Sequence, residues 1–238
     1  MIISKDSYLR FPPKKLNTQQ TTIFNALTYS VDICDLCYQR LYKQLIELSD
    51  KPESKDLIYP SVFSDAWSII NNSSIFLNLI SRYFKKFGSS NLIEIKKAKK
   101  LRNSNQHIDE RIAEIYVSKN LPIFGSLSWV KNFQDSNNFI LVSLYAGVFT
   151  HHNEFETSIN PGKASNEEIE SIFLNSIIKD KNDFKEISVC LKAIMQELNQ
   201  YVEMLENDFG QQIEKLEGNT NVQRHNSNMY IALKGRKI

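Results

Sequence analysis

The sequence predicts a mainly α-helical protein, a bundle of four long helices with a small antiparallel β insertion between the third and the fourth. Three observations carry this. Apolar residues recur at three- and four-residue steps through four long segments. The period turns strand-like only between about residues 121 and 180. Glycine occurs only 7 times in 238 residues, which argues against a nucleotide-binding α/β domain with its glycine-rich turns.

In the first helical segment Ile23, Leu27, Val31, Cys34, Tyr38, Leu41, Leu45 and Leu48 form one stripe, and Pro52 in a polar stretch ends it. The second carries Val62, Ala66, Ile69, Ser73, Phe76, Ile80, Phe84 and Phe87, with Gly88 as the stop. The third is expected from about Leu92 to Lys119, with Ala98, Leu101, Asn105, Ile108, Ile112 and Ile115 on its seam and Pro122 closing it. The fourth is expected from about Asp183 to Leu216, through Phe184, Ile187, Leu191, Ile194, Leu198, Tyr201, Leu205 and Phe209. Near-heptad seams of this kind are what a helix bundle buries.

Ile123–Val130 and Phe139–Thr150 are rich in β-branched and aromatic residues, and the turn-forming run Asp135-Ser136-Asn137-Asn138 separates them. A hairpin is expected. Ile169–Ile178 fits either a third strand or a short helix. The ends, Met1–Asn17 and Gly218–Ile238, are expected to be weakly ordered, with Met229–Leu233 as an optional short strand. The chain is read as a single domain spanning 1–238, and no internal repeat is present.

Composition bounds the function classes. A hydrophobic share of 42% and a charged share of 24% are those of a globular protein, and a net charge of +2 gives no global attraction to nucleic acid. Polar residues follow Met1-Ile2-Ile3 at once, unlike a signal peptide, and no apolar run approaches the ~18 residues of a membrane span. A cytoplasmic protein without a membrane association is therefore expected, in keeping with only three cysteines. Cys34 and Cys37 form a Cys-x-x-Cys pair on the first helical stripe, but no second pair completes a zinc site. His151-His152, near Glu154 and Glu156, would point to opposite faces of a strand and reads as a surface loop. Arg224-His225 lies in the expected tail. No metal and no cofactor is expected, and no phosphate loop, nucleophile elbow or His-Glu-x-x-His stretch is present.

The most informative stretch is Lys96-Lys97-Ala98-Lys99-Lys100-Leu101-Arg102-Asn103-Ser104-Asn105-Gln106-His107. With Leu101 at zero and 100° per residue, Arg102 lies on a shoulder near ~100°, while Asn103 and His107 fall near ~200° and ~240°, away from the seam. Asn103 and His107, four apart, would be neighbours. Asn105 breaks the apolar seam, and burying an unpaired amide costs about 1–3 kcal/mol, so a polar cleft is expected there. Lys85, Lys86, Lys96, Lys97, Lys99, Lys100 and Arg102 lie within 18 residues, opposed only by Glu94. Such a cluster attracts phosphate.

An arginine, then a polar residue, then a histidine four to six positions after the arginine, on a long helix of an α-helical bundle, resembles the HEPN superfamily. The resemblance covers roughly residues 18–120 plus the last helix and says little of 121–180. It implies a ribonuclease that cuts RNA without metal, using the 2′-hydroxyl as nucleophile. Arg102 would stabilise charge on the phosphate, His107 would serve as general acid or base, and Asn103 would orient the imidazole or hold a phosphate oxygen. Lys96, Lys99 and Lys100 would bind the substrate backbone. Arg102 and His107 diverge by about 140° on one helix, so two copies sharing a dyad are expected to pool them, in a homodimer with the motif at its interface. The resemblance further implies a toxin or phage-defence effector with an antitoxin or defence-system partner. The alternative is a non-catalytic HEPN-like bundle that binds RNA or protein.

Overall fold

The computed structural model describes residues 1–50, 59–107, 109, 122, 124–132, 139–146, 169–180, 183–217 and 223–224. Helix α1 (Thr18–Asp50) starts on a reciprocal cap: Asn17 Oδ1 accepts the Gln20 N–H at 2.9 Å, and Gln20 Oε1 accepts the Asn17 N–H at 3.0 Å. Its stripe is buried as its spacing requires, with Leu27, Val31, Cys34, Leu41 and Leu45 fully enclosed. Helix α2 (Tyr59–Tyr83) packs along α1 through Val62, Ala66, Ile69, Ile70, Phe76 and Ile80. A single 3-10 turn (Lys85–Phe87) follows and ends at Gly88, whose φ of 65° lies in the region that glycine alone adopts freely. Helix α3 (Ile93–Asn105) returns against α2, burying Ile95, Ala98 and Leu101.

Among the described residues, four strands lie between α3 and the helix that begins at Leu191. They are β1 (Ser126–Asn132), β2 (Phe139–Tyr145), β3 (Ile169–Asp180) and β4 (Asp183–Cys190), in one antiparallel sheet of order β2-β1-β3-β4. The expected hairpin is β1–β2, and Ile169–Ile178 is a strand. One face of the sheet alternates into the core through Leu127, Trp129, Ile172, Leu174 and Val189. Two indole N–H groups tie the sheet region to the helices. Trp129 Nε1 donates to Ser49 Oγ at 2.9 Å, and Trp67 Nε1 donates to the Phe124 carbonyl at 3.0 Å. Gly125 opens β1 with φ 82°, and a Cβ there would sit 2.4 Å from the Asn175 carbonyl oxygen, so the close approach of β1 to β3 requires glycine.

Helix α4 (Leu191–Glu217) begins where β4 ends. The fourth helix was expected from about Asp183, and the structure corrects this: Asp183–Cys190 pairs with β3 from Asp180↔Asp183 to Phe173↔Cys190. Phe184, Ile187 and Leu191 fit a helical stripe, but Ile187-Ser188-Val189 also alternates, and the neighbouring strand decides between the two readings. The N-terminal segment also differs from expectation. Ile3 and Leu9 are fully buried, Thr28 Oγ1 donates to the Leu9 carbonyl at 2.9 Å, and Arg10 forks onto Asp32 at 2.7 and 2.8 Å. Order here comes from tertiary contacts with α1 rather than from any periodic pattern. Of the expected C-terminal tail, Arg224 bridges to Pro13 and stacks over Tyr8, while the optional strand Met229–Leu233 lies outside the described residues.

Candidate functional site

The candidate site is built on α3. Its first turn is held by Glu197 of α4, whose carboxylate accepts the N–H groups of Glu94 at 2.8 Å and Ile95 at 3.1 Å. Two donors of the helix N-terminus are thereby satisfied by a charge that complements the macrodipole. Glu94 itself accepts from Lys97 Nζ at 2.5 Å and from the Cys190 N–H at 3.2 Å, locking α3 to the end of the sheet.

The far end of α3 differs from the sequence expectation. A continuous helix was expected to Lys119, but α3 ends at Asn105, Gln106 and His107 form a turn, and Asp109 is helical again. At this end the Gln106 N–H donates to the Arg102 carbonyl at 3.2 Å. Asn103-Ser104-Asn105 supplies the reason, since short polar side chains compete for backbone hydrogen bonds and weaken a helix. Ile108, Ile112 and Ile115, expected to extend the seam, lie outside the described residues.

Arg102 is half-buried in the last turn of α3, and Asn103 and His107 are exposed, so all three lie off the sealed seam that ends at Leu101. Asn105 is half-buried at the position where the apolar stripe stops. His107 falls beyond the helix end, so neither its four-residue pairing with Asn103 nor the 140° divergence from Arg102 follows from a single continuous helix.

The lysine cluster divides. Lys96 and Lys100 are exposed on the same face of α3 as Asn103, with Lys96 Nζ 3.4 Å from the Ser90 carbonyl. Lys99, expected beside them, turns instead to α2 and donates to Asn78 Oδ1 at 2.7 Å. Lys97 is paired with Glu94, and Lys86 with Asp208 at 2.5 Å. Lys85 and Lys86 belong to the 3-10 turn at the opposite end of α3, where they line a separate groove with the aromatic ends of α1, α2 and α4. Linear spacing merged two positive regions that the fold separates. The signal for the second was the run Arg82-Tyr83-Phe84-Lys85-Lys86-Phe87, in which cations alternate with rings.

Cys34 and Cys37 are buried in α1, with Cys34 Sγ 3.6 Å from the Ile69 carbonyl oxygen. Burial pushes both thiols up, which suppresses the thiolate needed for metal or redox chemistry. Among the described residues no group of three or more His, Cys, Asp or Glu side chains is arranged to hold a metal ion, and no helix is long and apolar enough to cross a membrane. His151, His152 and His225 lie outside them. No family model, curated protein or solved structure matches the chain.

Proposed function

We propose that the chain is a metal-independent endoribonuclease of the HEPN type, with an HEPN-like bundle, acting in the cytoplasm as a toxin or phage-defence effector. The observation that supports this reading is the position of Arg102, Asn103 and His107 within six consecutive residues at the polar break that ends α3, with Lys96 and Lys100 exposed on the same helix. Arginine provides a planar fork for a phosphate, and histidine a proton carrier suited to neutral pH. Lys96 and Lys100 supply the attraction for the chain of phosphates on either side.

In the proposed reaction His107 takes the proton from a ribose 2′-hydroxyl, and that oxygen bonds to the adjacent phosphorus. The bond from phosphorus to the 5′-oxygen breaks, and this oxygen leaves with a proton supplied by water. Arg102 faces the additional charge on the non-bridging oxygens as it develops. The products are a 2′,3′-cyclic phosphate and a 5′-hydroxyl. A homodimer that brings two α3 ends together would give each site its Arg102 and His107 from different protomers. An antitoxin or defence-system partner would act by covering that junction.

The second reading is a non-catalytic bundle that binds RNA or protein. It is favoured by the position of Arg102 in the last turn of α3, where a cation stabilises the helix dipole without any substrate. Incubation of the protein with mixed RNA in excess chelator separates the two. The nuclease reading expects cleavage by the parent and at least ~10²-fold less by Arg102→Ala and by His107→Ala. Undiminished activity of the His107 variant, or activity abolished by chelator, overturns it.

A further inference from the structure

A groove of about 990 Å³ opens at the end of the bundle where the N-terminal segment, the start of α1, the end of α2 and the end of α4 converge. Its floor is a three-ring cluster. Phe24 meets Phe209 at 5.0 Å and Phe84 at 6.1 Å between centroids, and Phe84 meets Phe209 at 6.0 Å. Its rim carries Lys15, Arg82, Lys85 and Lys86, and no carboxylate among the described residues lines it. Asp208 stands just outside and takes up Lys86, while Arg82 and Lys85 make no ion pair among the described residues. Cations and rings interleave: the Arg82 guanidinium lies 5.4 Å from the centre of the Tyr83 ring, and Lys86 Nζ lies 4.6 Å from that of Phe87. Tyr83 is 40% exposed at the rim. Asn17, Gln20 and Gln212 add amide donors and acceptors.

We infer that this groove binds unpaired nucleotides of single-stranded RNA, at a site separate from Arg102 and His107. Unstacked bases gain from aromatic side chains and from guanidinium planes, and the strand's phosphates gain from Arg82 and Lys85 at the rim. A duplex hides its base faces and would leave the rings unused. The volume lies at the upper end of pockets that enclose one small ligand, about 300–1,000 Å³, and suits a few splayed nucleotides. The inference rests on the reading of the chain as an RNA-acting protein, and it deepens that reading by giving the substrate a second point of attachment and a single-stranded character.

The test is fluorescence anisotropy of a labelled single-stranded RNA with the full chain, carrying His107→Ala so that the probe survives. Tyr83→Ala is expected to weaken binding about fivefold or more, the range of one lost base–ring stack. Arg82→Glu with Lys85→Glu is expected to weaken it at least about tenfold and to flatten the salt dependence by ~0.7 per lost phosphate contact. All three positions are at the surface, and matched circular dichroism confirms folding. Equal affinity in parent and variants, tighter binding of duplex than of single strand, or loss only of anionic-vesicle or acidic-peptide binding in the variants overturns the inference. Groove-dependent RNA binding by a chain that cleaves nothing would sink the nuclease reading alone. Cleavage dependent on Arg102 and His107 with binding indifferent to the groove would sink this inference alone.

Discussion

The Glu197 carboxylate accepts the Ile95 backbone N–H at 3.1 Å, so a side chain from the second turn of α4 caps the helix that bears the candidate site. The residues are 102 apart in sequence. Through this contact and the Glu94–Cys190 bond, the start of α3 is tied to α4 and to the end of the sheet.

Glu197→Ala is expected to lower stability by about 1–2 kcal/mol, the usual cost of losing a helix cap with its charge. For a chain of this size that corresponds to roughly 2–8 °C in a thermal melt. Glu197→Gln keeps one acceptor and should fall between. A melt unchanged in the alanine variant would show that α3 starts without help from α4.

A second prediction concerns Asp65, which is 2% exposed in α2 and receives both Nε, at 3.2 Å, and Nη2 of Arg40. Arg40→Ala leaves a buried carboxylate without its cation. The expected loss is at the low end of the ~3–5 kcal/mol found for broken buried pairs, because Arg40 itself reaches solvent. Urea unfolding reads it. Asp65→Asn with Arg40→Met should recover part of the loss, and no recovery would mean that the charge pair was not the cause.

Alkaline pH supplies a third. Tyr201 donates its hydroxyl proton to the Gly88 carbonyl at 2.5 Å, and burial pushes the phenol up to about 12, above the ~10 of an unfolded tyrosine. A proton held more tightly in the folded chain gives stability that is complete below pH ~10 and fades as pH rises towards ~12. Tyr38 is raised in the same direction, chiefly by burial and then by Cys190 and Tyr42. The denaturant midpoint should fall across this window, and less steeply in Tyr201→Phe, which should start about 1 kcal/mol lower at neutral pH. Equal slopes would remove Tyr201 from the account.

Much of the fold was legible because α1, α2 and most of α4 carry stripes long enough to outweigh local ambiguity. The end of Asp183–Cys190 as a strand was not, since Phe184 and Ile187 serve either period until β3 is placed beside them. The burial of Ile3 and Leu9 was equally silent, because two isolated apolar residues have no period. At the candidate site the exposed side of α3 is legible from Leu101 outward, whereas Asn103-Ser104-Asn105 marks a polar position in the seam without fixing that the helix breaks after Asn105. The separation of Lys85 and Lys86 from the α3 lysines depended on where Gly88 turns the chain, which linear charge counting cannot see.

A composite site makes a fourth prediction that a self-contained site does not. Arg102→Ala and His107→Ala should each be inactive, yet a refolded equal mixture should recover about one quarter of parent activity. Half of the dimers would then be mixed and each would hold one intact site, as dyad symmetry dictates. No recovery from mixed dimers would mean that both residues act from one chain.

The central claim is tested most directly by the ends left on RNA cut in excess chelator. The account predicts 2′,3′-cyclic phosphate and 5′-hydroxyl termini from the parent protein and uncut RNA from His107→Ala. Intact RNA with the parent, or 3′-hydroxyl termini with the same yield from both proteins, would contradict it.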